Sequence, residues 1–97
     1  MMTLLFLSYA GATPDRIAAR LDADGVPGHT RFAHASGHGL TGPREGTRAW
    51  PGEVTVFTAV VPATEAPRLL TALRAESQAL PPGERLHVAA LPVDTFF

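Results

Sequence analysis

The chain predicts an α+β domain in β-α-β-β-α-β order: a four-stranded antiparallel sheet with two helices on one face. Three observations predict it. Two strand-length apolar runs, TLLFLSYA and VTVFTAVV, are each followed by a segment of helical periodicity. A weaker strand pattern precedes the second run, and another closes the chain. The whole order fits within 97 residues, which suits one domain built on one hydrophobic core.

Each element has local support. Thr3 to Ala10 is apolar at both alternating positions and is closed by Gly11, so it reads as a strand buried on two sides. Thr13 offers a side-chain oxygen as helix cap, Pro14 suits the first helical position, and Asp15 favours the positive helix end. Ile17, Ala18 and Leu21 recur at helical spacing until Gly25, which predicts a helix from Pro14 to Asp24. His29 to Ala35 is taken as the second strand, largely from its position.

Val54 to Val61 is the clearest strand, rich in β-branched residues and stopped by Pro62. Thr64 is expected to cap a second helix with Ala66, Leu69, Leu70, Leu73 and Ser77 on one stripe, ended by Pro81, Pro82 and Gly83. Leu86 to Leu91 supplies the fourth strand. This is the ferredoxin-like plan, and it leaves one sheet face without helices. An antiparallel sheet with a solvated face alternates apolar and polar residues, yet the first and third strands are apolar on both sides. Self-association is the simplest cover for that second face.

Composition excludes several classes. A net charge of −1 provides no field to gather nucleic acid or an anionic membrane, so no nucleic-acid partner is expected. With no cysteine there is no disulfide framework, thiolate nucleophile or cysteine zinc site. The apolar start MMTLLFLSYAGA is too short to span a bilayer and lacks the basic residues of a signal peptide, so a cytoplasmic protein is expected. All eight basic residues are arginines.

Ser36 to Glu53, SGHGLTGPREGTRAWPGE, is read as a long flexible loop between the second and third strands, where a small domain ordinarily spends two to five residues. Within it, GHGLTG fits the GxGxxG pattern, but no helix follows, so the dinucleotide fingerprint lacks its context. No phosphate-binding GxxxxGK[ST] sequence exists. The glycines suit a turn of positive φ, or a nest of backbone N–H groups for an anion with charge from Arg44 and Arg48; both readings stay open.

If the second strand runs on through Ser36, His34 and His38 fall on one side, and a trimer would bring three copies of each together as a metal site. Catalytic pairings such as Ser36 with His38, or His34 with Glu53, lack a nucleophile elbow or paired carboxylates. A non-enzymatic protein is therefore expected. Trp50 is read as an anchor that packs the end of the loop.

The order of these segments resembles the nitrogen-regulatory P-II-like signalling family across nearly the whole chain. The residues that carry the resemblance are Gly28 and Thr30 opening the second strand, the glycine-rich loop, the PGE entry to the third strand, and GERLHVAALPVD near the end. The resemblance implies a homotrimer packed through its sheets, with a small effector, commonly an adenine nucleotide, bound in clefts between subunits. Gly37, His38 and Gly39 would then lie at the base of the loop beside the cleft, and Arg85 where the family places a phosphate-binding lysine.

Classical members have GFGRQKG where this chain has SGHGLTG, so the base-contacting glutamine is missing, and LPVDTFF stops short of their arginine pair. The loop contains no tyrosine, so no uridylylation switch is implied. GTRAWPGE looks closer to a branch that occurs with membrane efflux transporters, which implies a loop that docks on a transporter and a cleft for an anion, nucleotide or metal. Two alternatives accompany this reading. One is a divalent-metal-binding trimer resembling the copper-tolerance CutA family, resting on His34 and His38. The other is a small monooxygenase or isomerase on a dimeric ferredoxin-like barrel, with His34 or His87 essential.

Overall fold

The computed structural model describes residues 1–39, 42–44 and 54–97, and the side chains of 1–36 and 54–97. Strand β1 (Met2–Ala10) leads to helix α1 (Pro14–Ala23) and strand β2 (Thr30–Ala35). Two short strands, β3 (Gly37–Gly39) and β4 (Gly42–Arg44), precede β5 (Val54–Pro62), helix α2 (Ala66–Gln78) and β6 (Arg85–Val93). The main sheet has the order β2-β5-β1-β6, with every described pairing antiparallel. This is the predicted ferredoxin-like arrangement.

β1 is the central element. It pairs along its full length with β5 on one side and β6 on the other, so Leu7 faces both Phe57 and Val88 across the ladder. Because side chains alternate, Leu5, Leu7 and Tyr9 share one face with Phe57, Ala59 and Val61, and all six are buried. Against this face α1 sets Ile17 and Leu21, and α2 sets Ala66, Leu69 and Leu73. Each large apolar side chain among them contributes about 1.5–3 kcal/mol on burial, so this face supplies the main cohesive energy.

The helix ends differ from the sequence expectation. Thr13 makes no side-chain capping bond, because its hydroxyl and backbone N–H both turn to the Tyr9 phenol. Thr64 is not the cap of α2; the chain turns first, with the Glu65 N–H donating to the Pro62 carbonyl, and Glu65 takes the cap position without a side-chain bond. Leu70 is only partly buried, and Ser77 donates its hydroxyl to the Leu86 carbonyl at 3.0 Å, tying α2 to β6. β6 begins at Arg85 and runs to Val93, longer than the predicted Leu86 to Leu91, because β1 offers partners along its whole length.

The second strand also departs from expectation. Its pairing steps three residues from Phe32 to Ala35 while β5 steps two, from Val56 to Val54, and His34 absorbs the extra residue at φ 59°. β2 ends at Ala35 and does not continue through Ser36. Beyond it, β3 and β4 form a separate two-stranded antiparallel ribbon, pairing Gly37 with Arg44 and Gly39 with Gly42. Part of the predicted loop is therefore paired strand, and Gly42 opens a strand instead of a helix. Residues 45–53, with Arg48 and the proposed Trp50 anchor, lie outside the described residues.

Gly25 closes α1 as predicted. The N–H of Gly25 donates to Asp22 and that of Val26 to Leu21, both at 3.1 Å, with Gly25 at φ 79°. A Cβ at Gly25 would meet nothing within 4 Å, so the demand for glycine is conformational alone. Gly25→Ala is expected to lower stability by about 1–2 kcal/mol, read as a lower urea midpoint at unchanged slope.

Candidate ligand-binding site

The sheet gathers several predicted residues at one end. In register, Arg85 stands beside Ala10, Ala10 beside Val54, and Val54 beside Ala35. With strands about 4.8 Å apart, Arg85 lies roughly 14 Å from the point where the chain leaves β2 for the β3–β4 ribbon. Gly37 and Gly39 follow directly on that ribbon, as does the backbone of His38 and Arg44. The turn before β6 is shaped by Gly83 at φ 87° and by the Glu84 N–H donating to the Pro81 carbonyl at 3.1 Å. Arg85 is exposed, its Nη1 donates to the Glu84 carbonyl at 3.0 Å, and no carboxylate pairs with it among the described residues.

Beneath this turn lies a buried polar group that the sequence reading missed. The Tyr9 hydroxyl donates to Glu84 Oε1 at 2.6 Å, accepts the Thr13 N–H at 3.0 Å, and lies 3.1 Å from Thr13 Oγ1. Burial, followed by the hydrogen bond to Glu84, pushes the Tyr9 phenol above its ordinary value. The available sequence signal was a lone tyrosine at a strand end, two residues before a glycine.

The opposite end of the sheet carries an open cleft of about 530 Å³, lined by Met2, Gly28, His29, Thr30, Thr58 and Phe96 among others. Its size falls in the range of small-molecule sites. The His29 ring meets the Phe57 ring edge-on at 5.7 Å, and the Arg31 guanidinium lies 5.6 Å from the same ring while pairing with Asp15. At about 3.3 Å per residue, β1 from Met2 to Ala10 is roughly 26 Å long. A small ligand therefore cannot bridge the cleft's Met2 wall and Arg85 of one chain.

The helix-free sheet face is apolar, as the strand pattern predicted. Phe6, Phe32 and Leu91 are 41%, 53% and 47% exposed there, beside half-buried Leu4, Val56 and Val60. Monomeric proteins rarely leave so many large side chains contiguous and bare.

Of the other predicted residues, His34 sits exposed on the bulge, and the bulge removes the unbroken alternation that would have set it on one side with His38. The side chains of His38 and Arg44, and all of Arg48, lie outside the described residues. Among the described residues, no group of three or more His, Cys, Asp or Glu side chains is arranged to hold a metal, and no helix is long and apolar enough to cross a membrane. His87 is exposed on the helix-free face.

Tyr9 leads to a direct test. The sequence has no lysine or cysteine and a single tyrosine, so Tyr9 is the one side chain titrating between about pH 8 and 12. The folded state keeps the phenol protonated above the value of the unfolded chain. Its contribution is thus complete below about pH 10 and declines as the pH rises through the raised folded value. Urea melts at pH 8 and 10.5 are expected to show this loss in the native chain and not in Tyr9→Phe.

No family model matches the chain, and no curated relative does. Solved structures do. The chain is 24% identical to CPII, a nitrogen regulatory PII-like protein from Thiomonas intermedia K12 bound to ADP, AMP and bicarbonate, with a TM-score of 0.71 over 97% of this chain and 89% of that one. It is 21% identical to a DUF3240 family protein from Shewanella baltica, with a TM-score of 0.70 over 98% and 93%. A candidate PII-like signalling protein from Thermus thermophilus matches at 18% identity and a TM-score of 0.63, over 94% and 86%. At these identities the likeness establishes architecture: the chain has the fold of the PII-like proteins.

Proposed function

We propose that this chain is a divergent PII-like signalling protein, a non-enzymatic homotrimer of the cytoplasm that binds an adenine nucleotide, with or without a small anion, in clefts between subunits. The observation that carries the reading is the fold match over 97% of the chain to CPII, which is bound to ADP, AMP and bicarbonate. Two features of this chain support it. The apolar helix-free face calls for a cover, and packing three sheets about one axis provides it. The cleft at Thr30 and the exposed Arg85 lie toward opposite ends of one sheet, so a second copy is needed to unite them.

In this reading Arg85 faces the phosphates, Gly37 and Gly39 give backbone access beside the cleft, and Gly28, His29 and Thr30 line the part that takes the base. The segment 36–53, with His38, Arg44 and Arg48, docks a partner, a membrane transporter in the branch that GTRAWPGE resembles. Nucleotide occupancy would alter that segment's readiness to dock.

Two measurements test the proposal. Mass determination in solution is expected to give three times the 10.2 kDa chain, and Phe6→Asp, which places a charge on the apolar face, is expected to give monomer. A stable native monomer would exclude the assembly. ADP at one hundred times its dissociation constant is expected to stabilise the fold by about 2.7 kcal/mol, a rise of roughly 10 °C or more in the thermal midpoint. Arg85→Ala is expected to weaken ADP binding by about tenfold or more through loss of charge-assisted bonds. Zinc, copper and bicarbonate belong in the same screen, since a shift with metal alone would favour the metal-binding alternative.

A further inference from the structure

We infer that Tyr9 is a positioning residue: its buried hydroxyl sequesters the Glu84 carboxylate and so keeps the neighbouring Arg85 guanidinium available for an anion. This deepens the nucleotide-binding reading and rests on its assignment of Arg85. A carboxylate one residue before an anion-binding arginine poses a physical problem. Left to itself it would pair with the arginine or repel the ligand, because opposite charges on neighbouring residues attract and like charges repel.

The geometry resolves that problem. Glu84 is half-buried, and its Oε1 is held by the Tyr9 hydroxyl at 2.6 Å, whereas Arg85 turns its Nη1 to the Glu84 backbone carbonyl at 3.0 Å. The two side chains share a turn without pairing. Tyr9 is itself held, because it is fully buried and its oxygen also engages the Thr13 N–H and hydroxyl, which fills the hydrogen-bonding capacity of a phenol.

The surrounding chain is built to this arrangement. A Cβ on Gly11 would come within 2.3 Å of the Tyr9 hydroxyl and 2.8 Å of the Glu84 carboxyl carbon, so any larger residue would force the pair to shift. Gly83, at φ 87°, shapes the turn, and the Glu84 N–H is fixed to the Pro81 carbonyl at 3.1 Å. The β1–β6 ladder fixes the Arg85 backbone opposite Ala10, one residue from Tyr9. What the ladder leaves undetermined is the direction of the Glu84 side chain, and Tyr9 sets it.

The test compares native protein, Tyr9→Phe, Glu84→Gln and the double variant, with ADP titrated by calorimetry and the Arg85 Nε–H resonance followed without ligand. Tyr9→Phe is expected to weaken ADP by about tenfold and to shift the Arg85 resonance as Glu84 pairs with it. The double variant is expected to return both readouts to near native values, because a neutral amide cannot neutralise the arginine; a purely structural role for Tyr9 would show no such rescue. Native affinity in Tyr9→Phe, a double variant as weak as Tyr9→Phe, or an unmoved resonance would each overturn the inference. Failure of the native protein to bind ADP would remove the nucleotide reading, while the resonance would still decide the Glu84–Arg85 relation.

Discussion

The structure depends on β1 being paired on both sides and apolar on both faces. Strand pairing with β5 and β6 satisfies its backbone along the whole length from Met2 to Ala10, so it cannot be an edge. The two-residue side-chain period then sends Leu5, Leu7 and Tyr9 to one face and Leu4 and Phe6 to the other. Two helices cover the first set. The second set remains on the surface of the single chain, and the apolar helix-free face follows from that imbalance.

The same central strand organises the end of the sheet that carries Arg85. Ala10 aligns the start of β6 with the re-entry of β5, and Tyr9, one step inside, lies across from Thr55 and Leu86. Its hydroxyl joins the β1–α1 turn to the turn before β6, two segments far apart in sequence. A polar group buried at that junction is costly unless fully bonded, and here its partners are Thr13 in the β1–α1 turn and Glu84 in the turn that leads to Arg85. Core packing and site geometry thus meet in one side chain.

How much was legible in the sequence depended on whether a signal was local. The TLLFLSYA and VTVFTAVV runs, the Pro14 helix start and Gly25 all announced their elements, because period, fixed φ and positive φ are properties of a few neighbouring residues. The caps at Thr13 and Thr64 were misjudged for the opposite reason. A threonine before a helix is a sound cap until a phenol four residues earlier, held in place by Glu84 from across the fold, competes for it, or until a preceding turn consumes the position. His34 likewise suited an alternating strand, and a one-residue bulge against β5 undid the alternation.

Residue type and spacing announce the β-α-β-β-α-β core, the two-sided apolarity of β1 and β5, and the unusual segment between β2 and β5, but not the β3–β4 ribbon within it. Which residues meet is settled by the fold. It aligned Arg85 with Ala10, Val54 and Ala35, carried Glu84 to Tyr9, and assembled the cleft of His29, Thr30, Thr58 and Phe96 from separate stretches of chain. The physical reason is register: strand pairing is a long-range choice made by the whole core at once, and no local pattern records which residue of one strand will stand opposite which residue of another.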